Sequence, residues 1–249
     1  MSFCTVNWFS NAIGKFVQTN VILPDVGKPP YATFYLLHGL SDDYSVWQRR
    51  TRIEMYVANL PMIVVMPDGY RGFYTKNDQG PDYFKYMTED LPNFIERNFP
   101  AKKARSARCI GGLSMGGYGA LRVALGRPDL FASANSHSGA LLSGSSTKTS
   151  LDKQEMRRIF GANPKGSDHD LLHLARKAQA AGQLPKMLID CGTEDFLRDD
   201  NRACHQQLAK LNIPHDYREF PGSHSWEYWD EHVREAIAFH AANLRLKTE

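Results

Sequence analysis

No two of the four cysteines form a C-x-x-C pair, and Cys4, Cys109, Cys191 and Cys204 are too scattered for a metal clip or a redox motif. A chain of 249 residues does not depend on disulfides to fold, so the four are expected as free thiols in a reducing compartment. No N-x-[ST] acceptor occurs, and no apolar run reaches the roughly 18 residues that read as a membrane span. The opening MSFCTVNWFSNAIGKF lacks the charged start and apolar run of a signal peptide, so a cytoplasmic location without membrane attachment is expected. Charge of one sign is not in excess either: 30 Lys and Arg face 27 Asp and Glu, interspersed, and nothing resembles the basic stripe that nucleic acid would require. Internal repeats and low-complexity segments are absent.

What is present is a globular composition, 42% hydrophobic and 23% charged, in a length that suits one domain over residues 1–249. CTVNWF and FVQTNVILP, joined across SNAIG, read as an antiparallel entry to a sheet. Short apolar runs then alternate with amphipathic stretches, the signature of an α/β chain with a mostly parallel central sheet and helices on both faces. The expected strands are ATFYLLHG, MIVVMPDG, ARCIGGLS, FASANSHSG, KMLIDCG and HDYREFPG. Helical patterns fall at about 48–59, 85–97, 115–126, 198–211 and 225–245. Residues 141–185 separate two strands by more than a crossover needs, and carry two amphipathic patterns, LDKQEMRRIF and DHDLLHLARKAQAA. They are expected to form a small helical cap insertion over one end of the sheet.

The chemistry concentrates in RCIGGLSMGGYGALRVAL. Gly112-Leu113-Ser114-Met115-Gly116 matches G-x-S-x-G between a strand and a helix, the context of a nucleophile elbow in the α/β-hydrolase fold. A serine nucleophile there needs an acid and then a base further along the chain. Asp195 follows the strand KMLIDCG and is the expected acid; Glu194 is its nearest rival, and Asp190 lies within the strand. His224, in FPGSHSWEYW, sits in a loop ahead of the last helix, where a side chain titrating near neutrality can take the serine proton. His205, His232 and His240 fall inside helical patterns. A tetrahedral oxyanion needs preorganised donors, expected from the Met115 N–H and, after YLLHGL, from the Leu40 N–H, with His38 and Gly39 forming an H-G element. That segment also reads as an ordinary strand-ending turn with a buried histidine.

LLHGLSDDYSVW, MPDGYRGFY, YMTEDLPNFIERNFP, GLSMGGYGAL, CGTEDFL and PGSHSWEYW, in this order, resemble the esterase family that includes esterase D, the tributyrin esterases, feruloyl and acetyl-xylan esterases and the mycolyltransferase antigens. The resemblance spans nearly the whole chain, and TVNWFSNAIGKFVQTNVILP is most similar to the tributyrin-esterase branch. It implies a serine carboxylesterase acting on short acyl or aryl esters through an acyl-enzyme, with Ser114, Asp195 and His224 as triad and Leu40 and Met115 as oxyanion hole. It implies a small-molecule ester as partner, no cofactor and no metal, and it is compatible with a homo-oligomer. Trp47 and Trp226 flank the two key loops and are candidates for the substrate pocket or for the core; His137, in SHSG, is a further candidate for the pocket lining.

A thioesterase like S-formylglutathione hydrolase, or an acyltransferase, fits the same triad, and a non-enzymatic binding scaffold is the remote alternative. Two further patterns carry less. His169 and His173 stand four apart in a helical stretch, like an H-E-x-x-H metal motif with Asp in place of Glu, but no third ligand is evident. Ser145 to Lys148 form an S-x-x-K without the companion elements that its chemistry needs.

Overall fold

The computed structural model describes residues 1–145 and 152–247. Eight strands form one sheet: β1 (Ser2–Ser10), β2 (Lys15–Leu23), β3 (Ala32–Leu37), β4 (Met62–Pro67), β5 (Arg108–Leu113), β6 (Ser133–His137), β7 (Lys186–Gly192) and β8 (Asp216–Phe220). Their order is β1-β2-β4-β3-β5-β6-β7-β8, antiparallel at β1/β2 and β2/β4 and parallel from there on. All eight coincide with expected strands.

Alternation along the central strands sorts the core into two layers. Tyr35, Leu37, Ile63 and Val65 face one cluster, while Phe34, Leu36, Val64 and Met66 face the other. The second layer is covered by α1 (Val46–Arg50), α2 (Ile53–Val57) and α9 (Trp226–Asn243). The first is covered by α3 (Tyr83–Lys85), α4 (Leu91–Asn98), α5 (Met115–Gly126), α6 (Lys153–Phe160), α7 (Leu171–Ala180) and α8 (Arg198–Lys210). With helices on both faces, β3, β4 and β5 are buried along their whole length.

Two helices differ from expectation. The pattern at 48–59 is two helices, because the Thr51 hydroxyl donates to the Trp47 carbonyl and the Arg52 N–H leaves the helical ladder for Asp230, 2.9 Å away. The pattern at 85–97 starts at Tyr83 and passes through a wide π turn at Tyr86–Asp90 into α4. Pro92 has no N–H to return to the preceding turn, which accounts for the widening there.

The segment after β6 forms two helices, α6 and α7, as its amphipathic patterns require, and Arg71 clamps α6 through both oxygens of Glu155 at 2.6 and 2.7 Å. His169 precedes α7 and bonds Thr75 at 2.9 Å, so it shares no helical face with His173. The S-x-x-K pattern runs outside the described residues after Ser145. Among the described residues no cluster of three potential metal ligands occurs, and no helix is long and apolar enough to cross a membrane.

β3 sits between β4 and β5, so successive connections run to opposite sides of it. This is a topological switch point, where loops at the carboxyl ends of parallel strands part and leave a crevice. Ser114 and His38 to Leu40 both leave the sheet there.

Candidate active site

Ser114 ends β5 and begins α5 with φ 52° and ψ −115°, a conformation a side-chain-bearing residue holds only when its surroundings fix it. They do. The Ser114 N–H donates to the His137 carbonyl at 2.9 Å, and the Ser114 carbonyl accepts from Tyr118 and Ala140 at 3.1 and 3.0 Å. The glycines of the pattern are required by close backbone approach. A Cβ on Gly116 would stand 2.5 Å from the Leu37 carbonyl and 2.6 Å from that of His38, and one on Gly112 would stand 2.6 Å from the former.

The Ser114 hydroxyl lies 3.1 Å from His224 Nε2, and His224 Nδ1 lies 2.9 and 3.1 Å from the two oxygens of Asp195. The loop before α9 and the turn after β7 thus bring together three side chains distant in sequence. Asp195 is buried, which pushes its carboxyl upward, but hydrogen bonds from His224, the Leu197 amide and the Ser138 hydroxyl outweigh burial and hold it below the ordinary carboxylate range. The rivals are engaged elsewhere: exposed Glu194 accepts from Thr193 and the Gly222 N–H, and buried Asp190 bonds His137 Nδ1 at 2.7 Å and the Tyr228 hydroxyl at 3.0 Å.

His224 packs edge-on to Trp229, with centroids 4.9 Å apart, and against Phe196 at 4.5 Å. The Trp229 indole donates to Ser138 at 3.2 Å, which joins α9 to the group that also serves Asp195. Sequence reading missed Trp229, Phe196 and Ser138. The spacing of Trp229 three residues after Trp226 is the signal that one helix face carries both.

A cleft of about 680 Å³ opens over Ser114, walled by Leu40, Phe73, Leu142, Phe196, Trp226 and Trp229. Gly39, Leu40, Met115 and Trp226 line it. His38, Trp47 and His137 do not, and that expectation is corrected: their side chains face inward, with exposures of 0, 1 and 0%. His38 accepts the Gly69 N–H at Nε2 (2.8 Å), which leaves the ring proton at Nδ1 for the Gly39 carbonyl (2.7 Å), so it fixes the turn that carries Leu40. Trp47 donates to the Leu37 carbonyl at 2.9 Å and braces the same strand end. His137 supports the serine from below through its backbone and is tied down by Asp190. An aromatic or imidazole flanking a functional loop is as easily its foundation as its lining.

The Met115 N–H, at the first residue of α5, has no carbonyl one turn back, and the Leu40 N–H has no acceptor among the described residues. Both residues line the cleft beside Ser114. Asp42, half-buried, is close by: a Cβ on Gly39 would be 3.0 Å from its Oδ2 and 3.9 Å from the Ser114 Cβ. Burial pushes the Asp42 carboxyl upward. Arg50, Asp200 and Glu227 supply the remaining fixed charges of the lining.

A hydroxyl, an imidazole and a buried carboxylate in hydrogen-bonded series at the switch point of a mostly parallel sheet define the class: a serine hydrolase of the α/β-hydrolase fold. Within that class the chain belongs to the esterase family whose model, described as "Putative esterase", matches residues 10–240, and it is a carboxylic ester hydrolase. It is 31% identical over 258 residues to an acetyl esterase of Caldicellulosiruptor saccharolyticus, covering 95% of this chain and 97% of that one. Among solved structures it is similar to FphF, a fluorophosphonate-binding serine hydrolase of Staphylococcus aureus, with 33% identity, TM-score 0.89 and coverage of 96% and 98%. It is also similar to the S-formylglutathione hydrolase FrmB of the same organism, with 33% identity, TM-score 0.86 and the same coverage.

Proposed function

We propose that the protein hydrolyses neutral short-chain acyl esters, with Ser114 as nucleophile, His224 as general base and Asp195 as the acid that orients it. The observation that carries this reading is the 3.1 Å contact between Ser114 Oγ and His224 Nε2, the ring nitrogen that is left to accept when Nδ1 donates to the Asp195 carboxylate. Ser114 attacks the ester carbonyl as Nε2 takes its proton. The oxyanion forms against the Leu40 and Met115 N–H groups. His224 then returns the proton to the leaving alcohol, and water activated by the same nitrogen releases the acid.

A thioesterase acting on an S-acyl glutathione is the second reading, favoured by the similarity to FrmB. The charges of the cleft weigh against it. Three carboxylates, on Asp42, Asp200 and Glu227, stand against one guanidinium, on Arg50, an environment that repels a thiol partner carrying its own carboxylates. Turnover of p-nitrophenyl acetate and butyrate, set beside S-formylglutathione, tests both. The expected result is faster turnover of the oxygen esters, abolished in Ser114→Ala together with fluorophosphonate labelling. An alanine variant that keeps most of the wild-type rate removes Ser114 from the chemistry, and a preference for the thioester hands the site to the second reading.

A further inference from the structure

We propose that a second cavity, on the flank of α5 away from the catalytic cleft, is a binding site for a short aliphatic monocarboxylate. The cavity is about 240 Å³, and none of its lining residues belongs to the catalytic cleft. Its polar focus is Arg122, only 4% exposed. Buried guanidinium groups are ordinarily held by carboxylates or carbonyls, since an unpaired charge away from water is costly. Among the described residues Arg122 makes no hydrogen bond or ion pair, and its Nε is buried without a partner. What holds the group is stacking: Cζ lies 4.0 Å from the centre of the Phe84 ring, and Nη1 lies 2.4 Å from where a Cβ on Gly126 would be. Phe84 and Gly126 both line the cavity, so the fork of donors sits in its wall. An arginine presenting paired N–H groups to a partly apolar cavity is a receptor for a planar oxyanion.

The rest of the wall selects among oxyanions. Leu125, Leu174 and Ala178 are apolar and give a small hydrocarbon chain something to cover, which inorganic phosphate does not need. Asp168 stands at the rim with its carboxylate on Lys177, 3.1 Å away, and acts on Arg122 through space without bonding it. At roughly 30 Å³ per water molecule displaced, the cavity holds a carboxylate with a chain of a few carbons. Acids of this kind are what hydrolysis of short acyl esters releases, so the ligand class coincides with the proposed product although the two sites are separate.

Calorimetric titration with sodium butyrate, n-butanol, butylammonium and inorganic phosphate tests the site, and it requires no turnover, so failure of the esterase reading leaves the result interpretable. Saturable butyrate binding at about millimolar affinity, at least tenfold tighter than the other three, is expected. In Arg122→Gln, and in Gly126→Ala, which occupies the space of the guanidinium, binding should weaken at least tenfold with kcat for p-nitrophenyl butyrate unchanged. Should either variant fail to fold, the other and the ligand ranking on the wild-type protein decide. Butyrate binding no tighter than that of butanol or phosphate, or binding undiminished in a folded variant, overturns the proposal.

Discussion

Gly116→Ala tests the link between backbone packing and chemistry most directly, because its effect can be worked from the structure. The added methyl meets two carbonyl oxygens of the strand end, those of Leu37 and His38, at 2.5 and 2.6 Å, where ordinary contact begins at 3.4 Å. Neither is the tip of a flexible side chain, so α5 and the end of β3 must separate by nearly 1 Å. Those two elements carry Met115 and Leu40. A misplacement of this size typically costs on the order of 10²-fold in rate, and loss of one oxyanion donor on the order of 10²- to 10³-fold. The expected outcome is therefore a fall in kcat/KM for p-nitrophenyl butyrate of about 10²- to 10³-fold, or roughly 3 to 4 kcal/mol of transition-state stabilisation. Overpacking should cost about 1–3 kcal/mol of stability, read as a modest loss in Tm with the fold retained by circular dichroism. A Gly182→Ala control, with nothing within 4 Å of its Cβ, should lose no activity, although its φ of 65° makes it slightly less stable. A folded Gly116→Ala enzyme within twofold of the wild-type rate would refute the argument that the two elements must touch for the hole to form.

The remaining expectations concern protons and orientation. Asp195→Asn should fold normally and lose turnover by about 10⁴-fold, as the corresponding change does in a serine protease, whereas Glu194→Gln should stay within twofold; equal losses would reopen the choice of acid. Because hydrogen bonds hold the Asp195 carboxyl below its unfolded value, its contribution to stability is present above about pH 4 and is lost as pH falls through the folded value, so Asp195→Asn should show a shallower loss of Tm below pH 4 than the wild type. His240 is fully buried between Ser133 and Asn135, and burial pushes its pKa down to about 3. Below about pH 6.5 the unfolded chain takes up a proton that the folded chain refuses, so this residue alone should remove about 2 kcal/mol of stability between pH 7 and pH 5. Denaturant unfolding at the two pH values should show that loss diminished in His240→Gln, and an unchanged pH dependence would count against it.

The fold was legible in the sequence wherever one physical rule dominated. Short apolar or β-rich runs with flanking turns marked all eight strands, and the run from Met115 to Gly126 carries helix-forming residues after a strained turn. The misreadings lie where a single side chain competes with the backbone ladder, as Thr51 and Pro92 do. In the site, Ser114, Asp195 and His224 stood out because each needs a loop directly after a strand and a fixed chain order. His38 and His137 could not be placed the same way, since in extended structure one residue of register separates a side chain that lines a pocket from one buried beneath it, and the face that Trp47 on α1 turns to the sheet is set by long-range packing. Phe196 and Trp229 escaped notice because ring packing on His224 depends on the approach of α9 to the β7 turn, which is a long-range contact with no local pattern.

The position of the site follows from two constraints that meet only at one place. A serine with positive φ must be braced on every side, and its brace here is the carbonyl of His137 from β6, the amide of Ala140 beyond it and the first turn of α5. Beside the Met115 N–H on the same turn, a second oxyanion donor must come from a different strand whose end approaches within contact of that turn, and the only neighbour of β5 other than β6 is β3. At every other pair of parallel strands, from β5 through β8, the order advances in one direction, and the connecting loops do not part to leave a crevice. The glycine contacts between β3 and α5, the inward histidine that fixes Gly39 and the buried tryptophan on Leu37 are therefore one device. They hold two strand ends close together, with the two proposed oxyanion donors on either side, at the point where the topology leaves a crevice.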